Sequence, residues 1–99
     1  MHKFEWDKSK NTKNKEKHNI SFEEAIDAFY DYDSLILYDE KHSGDEDRFY
    51  QIGMIRTLKV IIVVFCIREK EIIRLISARE TTKKEREKYE RSKVKNRIC

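Results

Sequence analysis

The sequence predicts one α+β domain, an antiparallel β-sheet with helices before and after it. Three observations carry this. Apolar residues are only 38% of the chain, yet they crowd into two strand-length runs, positions 60 to 67 and 72 to 76. Two capping boxes, Ser21 with Glu24 and Thr82 with Glu85, mark helix starts on either side of that strand block. Finally, 99 residues suffice for a single compact core and not for two, so positions 1–99 form one domain.

The elements follow in order. KFEWD, with Phe4 and Trp6 on one side, reads as a short first strand at the edge of the core. Residues 8–18, KSKNTKNKEKH, carry almost no apolar side chain and fit either a polar helix pinned by its neighbours or an exposed basic loop. From Ser21 a helix places Phe22, Ala25, Ile26 and Phe29 on one stripe facing the sheet, and residues 31–34 end it. Leu35 to Tyr38 is the second strand. An acidic loop follows, DEKHSGDED, where Gly44 supplies turn freedom. Arg48 to Ile55 and Leu58 to Ile67 are two strands joined at Arg56 and Thr57, and that short loop requires antiparallel pairing. The second of these is apolar on both faces and belongs at the sheet's centre. A turn at 69–71 leads to the last strand, 72 to 78. The final helix starts at Thr82, has Tyr89 and Val94 as its apolar anchors, and is expected to fray from about residue 92.

The net charge of +3 is unevenly distributed. Residues 1–20 carry +3, residues 21–50 carry −8 and residues 51–99 carry +8. A basic end of this kind fits a polyanion, and the acidic middle fits a basic partner, although charge alone is equally met by two solvated faces. The apolar runs are too short to span a bilayer and the N-terminus lacks the apolar core of a signal peptide, so a soluble cytoplasmic protein is expected. Cys66 lies in a strand and Cys99 is last, which gives no disulfide framework. His2, His18 and His42 have no metal-ligand spacing, and no metal or cofactor is expected.

Arg68, Arg74 and Arg79 are spaced along the apolar hairpin that leads into the basic last helix. Guanidinium groups held on a sheet suit phosphate recognition. Strand alternation constrains them: Arg68 and Arg74 flank the hairpin turn and share a face, whereas Arg74 and Arg79 are an odd number apart and point oppositely unless the strand bends. Pairing with Glu69, Glu71 or Glu80 is the structural alternative for each.

Four stretches resemble the BrnT family of toxins from bacterial type II toxin-antitoxin systems: FEWD with a following lysine and asparagine, KHNISFEEA, DEKHSGDEDRF and IIRLISARETTKKEREKYE. Asn19 stands where that family commonly has glycine, and asparagine tolerates the left-handed turn that glycine favours. The resemblance implies a RelE-like fold with two N-terminal helices and one C-terminal helix. It also implies RNA cleavage that arrests translation and a BrnA-like ribbon-helix-helix antitoxin, with operator DNA bound only through the complex.

Metal-free RNA cleavage by 2′-OH attack needs a base, an acid and cations for the phosphorane charge. Arg68 and Arg79 are the candidates for the cations, with Arg74 as an RNA contact. For proton transfer the candidates are His42, which sits among carboxylates and suits proton donation, and His18, with Glu46, Lys17 and Tyr89 behind them. Lys17, Lys83 and Arg86 are candidate backbone contacts, the latter two at the dipole-positive end of the last helix. Trp6 is a candidate base-stacking residue, with core packing the plainer reading. The competing functional reading is a non-catalytic nucleic-acid-binding module or a passive partner in a repressor complex.

Overall fold

The computed structural model describes residues 3–44 and 46–98, without the side chains of Lys70, Asn96, Arg97 and Ile98; His2 and Cys99 lie outside the described residues. The elements are β1 (Lys3–Glu5), α1 (Lys8–His18), α2 (Phe22–Ala25) continuing as a 3-10 segment (Ile26–Tyr30), β2 (Leu35–Tyr38), β3 (Arg48–Met54), β4 (Val60–Arg68), β5 (Ile72–Glu80) and α3 (Lys83–Ile98). The sheet order is β1-β5-β4-β3-β2. β2 to β5 are antiparallel, as expected, and the short β1 adds to β5 in parallel. The very apolar β4 is central, as its two-faced pattern requires.

One face of the sheet is closed by α1 and α2. Ile61, Val63, Phe65, Ile73, Leu75 and Ala78 meet Ile20, Phe22, Ala25 and Ala28 there. The approach is close enough that Gly53 is required: a Cβ at that position would lie 2.7 Å from the carbonyl oxygen of Ala28. The second face is closed only in part, by α3, whose Tyr89 is buried against Ile52, Val60 and Ile62. Tyr89 is the helix's anchor, and its hydroxyl donates to Asp31 Oδ2 at 2.5 Å. Val94, the second expected anchor, is instead 57% exposed. α3 extends to Ile98, past residue 92.

The polar segment at 8–18 is a helix. Asp7 caps it by accepting from the N–H groups of Ser9 and Lys10, and Asn19 ends it in the left-handed region with φ 58°. A single buried side chain ties it to the sheet. Asn14 Oδ1 accepts from Ala78 N at 3.0 Å, while Nδ2 donates to Ala78 O and Ile20 O, each at 2.8 Å. The amide thereby pairs with β5 where β1 has ended. Both capping boxes form: Ser21 with Glu24, and Thr82 with Glu85.

Candidate active site

The half of the second face that α3 leaves uncovered carries the arginines. The β4–β5 register decides which ones. Arg68 pairs with Ile72 and Arg74 with Cys66, so Arg68 and Arg74 share a face. The register then shifts: Phe65 pairs with Leu75 but Val64 with Ser77, which leaves Ile76 as the extra residue of a β-bulge. Beyond it Arg79 pairs with Ile62, and since Ile62, Val64 and Cys66 alternate onto one face, Arg79 joins Arg74. Strict alternation would have separated the two.

The cross-strand rows add residues that the sequence did not single out. Arg48 and Arg74 flank Cys66 from β3 and β5. Tyr50 occupies the next row, opposite Val64. The Tyr50 hydroxyl is hydrogen-bonded to Asp39, and Arg48 and Arg79 lie within electrostatic reach of its phenol oxygen. Burial and the carboxylate push the Tyr50 phenol up, so it stays a proton donor. For Asp39 burial alone would raise the carboxyl, but hydrogen bonds from Tyr50 and His42 outweigh it and hold the group below its ordinary value. The available signal was the parity of Arg48, Tyr50 and Ile52 in RFYQI, which puts all three on one face of β3.

Three of the four sheet arginines are held by carboxylates. Arg79 donates from Nη1 to Glu85 Oε1 at 2.8 Å and from Nη2 to Glu85 Oε2 at 2.9 Å, with Nη1 also reaching Glu80 O at 3.1 Å. This grip holds the Glu85 carboxyl at about 2. It occupies the end of the guanidinium and, among the described residues, leaves the side edge formed by Nε–H and the second Nη2–H for another acceptor. Arg74 Nη1 donates to Glu5 Oε2 at 2.8 Å, and Arg68 Nε lies 3.1 Å from Glu46 Oε2. None of these partners is Glu69, Glu71 or, through its side chain, Glu80.

Among the proton-transfer candidates, His42 is exposed and bonded through Nδ1 to buried Asp39 at 2.9 Å. That bond fixes the ring, and among the described residues Nε2 has no hydrogen-bond partner. Tyr89 is removed from the set, because burial and the Asp31 carboxylate push its phenol well above its ordinary value. His18 and Lys17 sit on α1 beside Ser77, at the β5 edge. Lys83 and Arg86 stand on the outer side of α3, Arg86 within 3.8 Å of Glu90. Trp6 packs edge-on against Phe22 with ring centres 6.0 Å apart, on the helix-covered face and so across the sheet from the arginines.

Fold and site together define a small α+β domain whose half-open sheet gathers four arginines, a tyrosine and an oriented Asp–His pair. The model of the family described as ribonuclease toxin, BrnT, of type II toxin-antitoxin systems matches residues 6–85, and the chain belongs to that family. The fold is similar to the 1.1 Å crystal structure of the Brucella abortus ribonuclease toxin, BrnT, with a TM-score of 0.65 and 24% identity over 84% of this chain and 100% of that one. No curated protein matches the chain.

Proposed function

We propose that the chain is a metal-independent endoribonuclease that cuts RNA by 2′-OH attack on the adjacent phosphate. In this reading it arrests translation in the cytoplasm and is neutralised by a ribbon-helix-helix antitoxin, the complex alone binding operator DNA. Membership of a ribonuclease toxin family supports the activity class and implies an antitoxin. The observation that carries the mechanism is the bulge at Ile76, which collects Arg68, Arg74 and Arg79 on one open face with Arg48.

The scissile phosphate lies against the side edge of Arg79, with Arg74 and Arg48 taking neighbouring negative charge. The charge that grows on the phosphorane meets fixed guanidinium groups that need no reorganisation. The acidic loop supplies the proton transfers. Glu46, held by Arg68, accepts the 2′-OH proton as the 2′ oxygen bonds to phosphorus. The P–O5′ bond breaks, and protonated His42, fixed through Nδ1 by Asp39, gives its Nε2 proton to the 5′ oxygen. The products are a 2′,3′-cyclic phosphate and a free 5′-OH.

The test is incubation of purified protein with RNA in EDTA, beside Arg79→Ala and a substrate with 2′-deoxy nucleotides. The expected result is cyclic-phosphate ends from the wild type, a fall of roughly 100-fold or more for Arg79→Ala, and no cut in the deoxy substrate. RNA that stays intact while binding the wild type would replace this reading with the non-catalytic module.

A further inference from the structure

α1 carries five lysines against one glutamate and no apolar side chain, yet Asn14 clamps it onto β5. Such a helix gains little from burial, so what holds it in place is a polar lock, and what it presents is charge. Lys10, Lys13 and Lys17 recur at i, i+3 and i+7 on the side that also bears Asn14 and His18. With Ile76 and Ser77 they line a cleft of about 260 Å³. Among the described residues none of these three lysines has a carboxylate within 4.0 Å, whereas Arg56, Lys59, Arg68, Arg74, Arg79 and Arg86 each do. Unpaired ammonium groups keep their full attraction for an incoming anion.

The cleft adjoins the arginine face through the bulge. Ser77 registers opposite Val64, between the rows of Arg74 and Arg79, and also forms part of the cleft wall beside Lys17 and His18. We infer that this cleft is a second subsite for the sugar-phosphate backbone of RNA. It is reached by a strand that leaves the arginine face, crosses β5 at Ile76 and Ser77, and runs along α1. The inference rests on the ribonuclease reading and extends it to substrate length. Lysines on flexible stems contact phosphate as point charges, so the subsite adds affinity without reading sequence. From Lys10 to Lys17 the helix rises roughly 10 Å, enough for more than one phosphate.

The experiment compares wild type with the triple variant Lys10→Gln, Lys13→Gln, Lys17→Gln. The probes are uncleavable 2′-O-methyl RNAs of about 4 and 16 nucleotides, titrated across salt concentrations. Loss of three single-strand phosphate contacts is expected to lower the slope of log K against log salt by about 2 for the long probe. Its affinity near 0.1 M salt falls roughly 100-fold by the same relation, and its advantage over the short probe disappears. An unchanged slope and unchanged length dependence would overturn the inference, as would equal losses for both probes, which would report only net charge. Weaker antitoxin binding with intact long-probe binding would assign the cleft to an acidic protein segment and overturn it too. Failure of the ribonuclease reading is read separately, as uncut RNA with the wild type, because the probes here are never cleaved.

Discussion

Replacing Glu85 with glutamine tests the grip that positions Arg79. The carboxyl lies at about 2 against an ordinary 4.5, chiefly because Arg79 donates to both its oxygens. That depression corresponds to roughly 3.4 kcal/mol of preference for the charged form, at about 1.36 kcal/mol for each tenfold change in proton affinity. Glu85 is 22% exposed and Arg79 41%, so solvent screening leaves about 1 to 2 kcal/mol as stability. A carboxyl lowered on folding contributes fully above its unfolded value and loses that contribution as pH falls through the folded one. The window is therefore about pH 4.5 down to about 2. Urea unfolding should show Glu85→Gln less stable by about 1 to 2 kcal/mol at pH 7 and nearly equal to wild type at pH 2. Because glutamine loosens Arg79 without removing it, RNA cleavage at pH 7 is expected to fall about tenfold, mainly in kcat. Equal stability at pH 7, or a gap that persists at pH 2, would refute the electrostatic account. Faster cleavage would show that Glu85 competes with phosphate instead of orienting the guanidinium.

Two stability predictions concern what holds the sheet in register. Asn14→Ala removes three hydrogen bonds and strands buried groups of Ala78 and Ile20, for an expected loss of about 3 to 4 kcal/mol in urea unfolding; a loss under about 1 kcal/mol would mean that α1 is held by something else. Gly53→Ala drives a methyl to within 2.7 Å of Ala28 O and is expected to cost about 1 to 3 kcal/mol, whereas an unchanged unfolding midpoint would show that the 3-10 segment shifts freely.

Local chemistry was legible in the sequence wherever its partners were near in the chain. Ser21 with Glu24, Thr82 with Glu85, and the left-handed Asn19 are each settled within a few residues, and all three form. The strand block was legible from apolar density, although β5 extends to Glu80 and β4 begins at Val60. Less visible was whatever depends on distant pairing. α1 has no apolar face to advertise it, since what ties it to the sheet is one amide bonded 64 residues away. The parallel pairing of β1 depends on where β5 lies, and a three-residue strand cannot encode its own partner.

The site follows the same rule, and the bulge shows why. Alternation counted along β5 separates Arg74 from Arg79, but one unpaired residue at Ile76 reverses that count. The physical reason lies on the opposite face. Leu75 and Ala78, three residues apart, are both buried in the helix-covered core, where Ala78 receives Asn14. Regular alternation cannot bury residues separated by an odd number, so a shift between them is what lets Asn14 dock and Leu75 stay in the core together. The same shift turns Arg79 onto the open face beside Arg74 and places Ser77 between the arginines and the lysines of α1. The packing of α1 and the gathering of the cations are therefore two consequences of one register change.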